Sequence, residues 1–233
     1  MAFVKPKIYT TSTGTVEPYA YLAKPDFGAE GFKTDRGSYK VNLTLPTDDK
    51  RCMAMVDEIT KAHESNYEEL LRKHEENPPV VQRGKKPLEP YEGDMPFIDN
   101  GDGTTTFRFS CYDSYVDKKT NTKKMITPAI VDSRGKPIKG DRPNIAAGSE
   151  IKVKYTMFPY GWSNVAGASV KLRLSSIMLI NLVEFGAGGD DWSDEAEEGG
   201  YERDEESWGS ASEEDYEEQS NRASEYEDDN GDF

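Results

Sequence analysis

Aromatic and basic residues cluster in one segment of the chain. It runs from Lys152 to Trp162 and places two lysines ahead of Phe158, Tyr160 and Trp162. Bases of a single-stranded nucleic acid stack on aromatic rings without sequence preference, while Lys and Arg contact the phosphates. A single aromatic residue would more simply belong to a core or a turn. The cluster as a whole favours a nucleic-acid site that contains Lys152, Lys154, Tyr160 and Trp162.

Four predicted strands would position these side chains, because apolar and polar residues alternate along 39–45, 107–112, 151–157 and 170–174. A period of two directs one set of side chains into a core and the other to the opposite face. The outward set is repeatedly basic, at Lys40, Arg108, Lys152, Lys154, Lys171 and Arg173. Any one strand would fit an ordinary solvated face, but the recurrence favours a basic surface on a mainly β domain.

The rest of the body is predicted as one helix, a hairpin and a loop. Apolar residues recur every three or four positions over residues 48–76, with Thr47 as the expected N-cap. Residues 78–96 are rich in proline and are predicted to form an extended loop. The Asn-Gly and Asp-Gly pairs within 99–103 predict a hairpin turn. Pro159 and Gly161 are expected to end the strand that begins at residue 151.

Residues 190–233 form an acidic segment at the end of the chain. It holds 20 Asp and Glu against two Arg, whereas residues 1–189 carry a net charge of about +3. This asymmetry predicts one folded domain over 1–189 and a disordered interaction tail over 190–233. A merely solubilising tail would avoid aromatic residues. Here they recur at Trp192, Tyr201, Trp208, Tyr216, Tyr226 and Phe233, which favours a docking role.

Several classes of protein are disfavoured by what the sequence contains. The longest apolar run, 177–183, is far shorter than the roughly 20 residues that span a bilayer. Cys52 and Cys111 are far apart and predict no disulfide framework and no zinc site, which fits a reducing cytosol. Motifs of nucleotide-binding loops and hydrolases are not found. We therefore expect no catalytic residues, no metal and no cofactor.

Several longer stretches closely resemble the single-stranded DNA-binding proteins of T-seven-type bacteriophages, and the likeness extends over nearly the whole chain. The matching stretches are residues 17–21, 36–41, 83–88, 90–97, 99–107, 165–172, 190–192, 203–208 and 231–233.

The resemblance implies an OB-fold, a homodimer, and a C-terminal tail that binds the phage DNA polymerase and helicase-primase. It implies roles in DNA replication, recombination and repair in the cytoplasm of the infected bacterium. The implied contacts to single-stranded DNA are Lys5 or Lys7, Arg36, Arg108, Tyr160 and Trp162. In the tail, the expected partner contacts are Trp208, Asp232 and Phe233. One departure is Ser110, which stands where the family is expected to have a lysine.

Two other functions remain open at this stage. The acidic tail could mimic DNA and inhibit another protein, with the body as a scaffold, although the cluster of aromatic and basic residues argues against this. The body could also be an OB-fold that binds RNA. The residues alone do not distinguish DNA from RNA, and only the resemblance favours DNA.

Overall fold

The computed structural model describes residues 6–78, 88–117 and 119–183. Within these ranges the chain forms eleven strands and one helix. In chain order they are β1 (Tyr9–Thr10), β2 (Gly14–Val16), β3 (Tyr21–Asp26), β4 (Ser38–Pro46), α1 (Lys50–Glu76), β5 (Phe97–Asp99), β6 (Thr104–Tyr112), β7 (Ser114–Asp117), β8 (Thr122–Met125), β9 (Ala129–Val131), β10 (Glu150–Tyr160) and β11 (Ser169–Asn181).

Five strands close into a barrel. Strand β10 pairs with β2, β2 with β4, β4 with β6, β6 with β11, and β11 again with β10. Among these five strands, only the pairing between β6 and β11 is parallel. A closed five-stranded barrel is the architecture of the OB-fold, so the predicted fold class is confirmed. All four strands expected from the alternating pattern are barrel strands.

The barrel interior is filled by the apolar set of each strand, as the alternation predicts. Phe107, Phe109 and Tyr155 are fully buried, and the Phe109 and Tyr155 ring centroids lie 5.1 Å apart. Tyr9 stacks on Tyr155 from the other side, at 5.4 Å. Burial raises the pKa of Tyr155, whose hydroxyl has no hydrogen-bond partner among the residues that the structure describes. The polar set of the same strands is therefore left on the outer surface.

Helix α1 packs its apolar stripe on the barrel through Cys52, Met55, Ile59 and His63, which are buried. The predicted N-cap was wrong. Asp49 caps the helix, and its carboxylate accepts hydrogen bonds from the amides of residues 51 and 52. The chain first turns at 46–49, which leaves Thr47 outside the helix and bonded to Thr105. A hydroxyl from Ser12 and these amides lower the pKa of the Asp49 carboxyl.

The predicted hairpin and strand end are only partly as expected. Strands β5 and β6 pair across residues 99–105, and Gly101 and Gly103 have positive φ, as the turn requires. Strand β10 does not stop before Pro159 but continues through it to Tyr160. Pro159 pairs with Val170 of β11, while the partner on the other side of β10, strand β1, pairs only near residues 154–155. In the described residues, β10 is therefore paired on one side only around Pro159, and proline is tolerated at such an edge position.

Candidate nucleic-acid interface

An open groove of about 760 Å³ lies on the outer side of the barrel. Strands β6, β10 and β11 supply part of its lining, and the segments 91–96 and 165–167 supply the rest. The strand side chains that line it most directly are Arg108, Ser110, Tyr112, Phe158, Tyr160 and Lys171. They belong to the outward-facing polar set, so the pattern that fills the core also furnishes the groove.

Strand register places cations and rings beside one another. Lys171 of β11 lies opposite Phe158 of β10. One step along, Arg173 pairs with Ser110 of β6, which in turn pairs with Lys40 of β4. Ser110 therefore stands in the groove between two basic positions, at the site where the resemblance implies a lysine.

Arg36 and Lys171 both lie against the ring of Tyr112. The guanidinium carbon of Arg36 is 3.9 Å from the ring centroid, and Lys171 Nζ is 4.6 Å from it. Arg36 also donates two hydrogen bonds to the carbonyl of Ser114, at 3.1 and 2.6 Å. A second recess of about 540 Å³ contains Arg36 and Arg173 and shares Tyr112 and Lys171 with the groove. The two cavities thus form a continuous surface of cations and rings.

The cations of this surface also influence the pKa of Cys111, a buried residue that lines the second recess. Burial raises the pKa of the Cys111 thiol to about 11, although Arg173 and Lys171 oppose the shift. The thiol is therefore neutral at physiological pH and packs as a small apolar side chain.

The two aromatic residues at the end of β10 have different surroundings. Tyr160 lines the groove, and its carbonyl accepts a hydrogen bond of 3.1 Å from Asn66 of helix α1. Trp162 is half-buried and meets His74 of the same helix edge-on, with the ring centroids 5.5 Å apart. The sequence places both rings in one site, whereas the structure brings only Tyr160 to the groove lining.

Three other predicted lysines lie farther from the groove. Lys152 and Lys154 are on the outer face of β10, paired with positions 178 and 176 of β11. Lys7 forms an ion pair with Glu58 of helix α1, and this hydrogen bond raises the pKa of Lys7.

Lys40 is already paired. It contacts Asp26 at 2.6 Å, and its hydrogen bond is the main cause that lowers the pKa of the Asp26 carboxyl.

Comparisons with known proteins agree with this geometry. Residues 13–182 match the family described as single-stranded DNA-binding protein of bacteriophage T7. The chain belongs to this family. It is 55% identical to the single-stranded DNA-binding protein of Escherichia phage T7, over 97% of this chain and 99% of that protein. It is 57% identical to the Enterobacteria phage T3 protein of the same name, over 89% of this chain and 94% of that protein.

The fold agrees as well. The crystal structure of gp2.5, the single-stranded DNA-binding protein encoded by bacteriophage T7, matches with a TM-score of 0.70 and 52% identity. The match covers 86% of this chain and all of that chain. The family is one of binding proteins, so the prediction that the chain is not an enzyme is confirmed by its membership.

Sequence reasoning passed over two exposed groove residues, Tyr112 and Tyr91, which are 46% and 39% exposed. Phe158, which is 55% exposed, belonged to the predicted aromatic cluster. Tyr112 follows the same alternation as Arg108, so the sequence pattern could have indicated it. Tyr91 comes from the proline-rich segment, where no periodicity indicates a direction.

Some expectations fall outside what the structure describes. Lys5, the boundary at 189–190, and the tail residues Trp208, Asp232 and Phe233 lie outside the described residues. Among the described residues, no group of three or more His, Cys, Asp or Glu is placed to hold a metal ion. In the same part of the chain, no helix is both long and apolar enough to cross a membrane.

Proposed function

We propose that this protein binds single-stranded DNA, without sequence preference, in the groove of β6, β10 and β11. The phosphates contact Arg36, Arg108, Lys171 and Arg173, and the bases stack on the neighbouring rings. The observation that carries this proposal is the pairing of exposed rings with cations on adjacent strand positions, as at Phe158 and Lys171. Family membership favours DNA over RNA as the natural ligand.

The groove chemistry explains a preference for single strands. Every base has a flat face that can stack on Tyr112, Phe158 or Tyr160, whatever its identity. In a duplex these faces are already covered by neighbouring base pairs, so only the phosphates remain available to the cations. The rings therefore select single strands, and the cations supply a salt-dependent attraction common to all nucleic acids.

The remaining basic and aromatic residues extend this surface. Lys152, Lys154 and Trp162 follow the outer face and end of β10, where a strand leaving the groove would pass. Lys5 and Lys7, at the start of the chain, and Lys40, next to Ser110, contribute further phosphate contacts. Lys7 and Lys40 must exchange their carboxylate partners for phosphate, so their contributions are smaller than that of Lys171.

The acidic segment 190–233 has a regulatory role in this proposal. Its net charge of −18 competes with phosphates for the basic surface when DNA is absent. Once displaced, it recruits the phage DNA polymerase and helicase-primase through Trp208, Asp232 and Phe233. The protein acts as a homodimer in replication, recombination and repair, in the cytoplasm of the infected bacterium.

Fluorescence anisotropy with labelled oligonucleotides tests the DNA-binding proposal. Single-stranded DNA, duplex DNA and RNA of equal length are compared over a range of salt concentrations. We expect the tightest binding for single-stranded DNA, and a log–log salt slope of about −0.7 per neutralised phosphate. Equal affinity for duplex and single strand, or a flat salt dependence, would reject the groove model.

The acidic segment is tested by a truncation and a point variant. Deleting residues 190–233 should tighten single-stranded DNA binding at low salt, with a gain that shrinks as salt screens both competitors. Phe233→Ala should weaken binding to the polymerase in surface plasmon resonance and leave DNA affinity unchanged. An unchanged DNA affinity after truncation would reject competition, and equal polymerase affinities would reject the anchor role of Phe233.

A further inference from the structure

The part of the groove lining that lies outside the long strands is built from two chain segments joined to each other. Gly93 N donates to Ala168 O at 2.8 Å, and Ala168 N donates to Tyr91 O at 2.9 Å. The Tyr91 hydroxyl donates to Ser163 O, and Ser169 Oγ donates to Asp94 O. Segments 91–94 and 163–169 therefore form one unit, called here the groove wall.

The two segments of the groove wall meet backbone against backbone. A Cβ added at Gly93 would lie 2.6 Å from the Gly167 carbonyl oxygen, and one added at Gly167 would lie 2.4 Å from Glu92. Such close approach is possible only because neither glycine has a side chain. The groove wall consequently has few apolar side chains of its own to fix its position.

Helix α1 fastens the groove wall by two polar side chains. His63 is buried, and its Nε2 lies 3.2 Å from Gly93 O. A carbonyl only accepts hydrogen bonds, so Nε2 carries the proton. One turn along, Asn66 Nδ2 donates to Tyr160 O at 3.1 Å and to Ser169 O at 3.4 Å.

The two acceptors of Asn66 are partners in the strand register. Tyr160 and Ser169 form the last rung between β10 and β11. Asn66 thus ties the end of both strands to the helix, at the point where Tyr160 enters the groove. His63 ties segment 91–94 to the same helix through the Gly93 carbonyl, so a single element sets the spacing between Tyr160 and Tyr91.

We propose that His63 and Asn66 are positioning residues, which hold the aromatic side of the groove at the separation that base stacking requires. The inference rests on the proposed DNA-binding function. It assigns part of the affinity for single-stranded DNA to helix α1, although this helix lines no part of the groove cavity. Apolar packing fixes a volume, whereas a hydrogen bond also fixes a direction. That difference explains why polar side chains are found at this otherwise apolar helix face.

The first test replaces Asn66 with Leu, which keeps the approximate size and removes both donors. Ser65→Leu, at the exposed neighbouring position, is the matched control. We expect Asn66→Leu to lose about fivefold in affinity for oligo-dT, near the lower end of the effect of one stacked base. The salt slope should not change, because the cations on β6 and β11 are untouched. Ser65→Leu should bind like the wild type.

The second test uses a conservative rescue at His63. The amide nitrogen of His63→Gln can donate to Gly93 O, whereas His63→Leu cannot. We expect the Gln variant to bind close to wild type and the Leu variant to lose affinity at an unchanged salt slope.

The melting temperature of each variant is measured as well, which distinguishes a loss of positioning from a loss of folding. Wild-type affinity in folded Asn66→Leu and His63→Leu would overturn the proposal, as would failure of both Leu variants to fold, since the residues would then support the barrel itself. If the wild-type protein failed to bind single-stranded DNA, the proposed function would fail instead.

Discussion

The two sides of the groove differ in charge and in what they can offer a ligand. The strand side carries Arg108 and Lys171, with Arg36 and Arg173 in the adjoining recess. The groove wall and its continuation to residue 96 carry Glu92 and Asp94 and no lysine or arginine among the lining residues. One side therefore attracts phosphates, and the other repels them. We expect this difference to orient the bound strand, with its backbone over Arg108 and Lys171 and away from Glu92 and Asp94.

The same difference separates two kinds of binding energy. Phosphate contacts release counterions and weaken with salt, whereas stacking on a ring changes little. Substitutions of the cations should therefore alter the salt slope. Substitutions among the rings should shift affinity at every salt concentration by a similar factor.

The largest effect is expected at Tyr160, where the aromatic contribution is most directly tested. Tyr160→Ala should weaken single-stranded DNA binding by about 1–3 kcal/mol at an unchanged salt slope. Tyr19→Ala, at an exposed tyrosine outside the groove lining, is the control. Anisotropy titrations at several salt concentrations measure both quantities. A reduced slope in Tyr160→Ala would mean that the rings and the cations do not act separately.

Arg36 should have the next largest effect, because it joins the two kinds of contact. It carries a positive charge, stacks on Tyr112 and bonds to the carbonyl of Ser114. We expect Arg36→Lys to retain the salt slope but lose affinity, since an ammonium cannot make the planar contact and two hydrogen bonds together. Arg36→Ala should weaken binding and should also make the log–log salt slope shallower by about 0.7 units, the value of one phosphate contact. Identical behaviour of the two variants would show that only the charge matters.

A substitution at Ser110, on the strand side, is expected to strengthen DNA binding. Ser110→Lys introduces a cation between Lys40 and Arg173, facing the groove. The log–log salt slope of Ser110→Lys should be steeper than that of the wild type by about 0.7, and its binding should be tighter at low salt. Ser110→Gln, which adds length without charge, is the control. If both variants bind alike, the position does not face a phosphate.

The smallest effect is expected from releasing Lys40. Asp26→Asn removes the carboxylate that holds the Lys40 ammonium, so affinity should rise slightly at low salt. The lowered pKa of Asp26 means that the pair is intact above the usual range of aspartate and is lost only as pH falls through that lowered value. The comparison is therefore made at pH 7, where the wild-type pair is present. A lower affinity would indicate that Asp26 orients Lys40 toward DNA.

The sequence predicted those features that depend on strand alternation. The outward sets of β6 and β11 follow a period of two, so the alternation predicts Arg108 and Lys171 on the outer surface. Tyr160 joins them because β10 continues through Pro159, which the sequence analysis did not expect. The helix stripe was likewise predictable from its periodicity. The N-cap was not, because Thr47 and Asp49 are both good caps, and the turn at 46–49 decides between them.

Contacts between distant segments were beyond sequence reasoning. Nothing in the pattern indicates that Lys7 meets Glu58, that Lys40 meets Asp26, or that Trp162 packs on His74. Two of the predicted phosphate contacts are consequently paired with carboxylates. The groove wall depends on the approach of Gly93 to Gly167, which joins a proline-rich loop to a hairpin end far along the chain.

Crosslinking of oligo-dT to the full-length protein, followed by mass spectrometry of the crosslinked peptides, tests the orientation of the strand most directly. The account predicts base crosslinks at Tyr160, Phe158 and Tyr91. Probes attached through the phosphate should instead react near Lys171 and Arg108. Base crosslinks confined to the outer faces of β3 and helix α1, or phosphate probes reacting at Glu92 and Asp94, would contradict it.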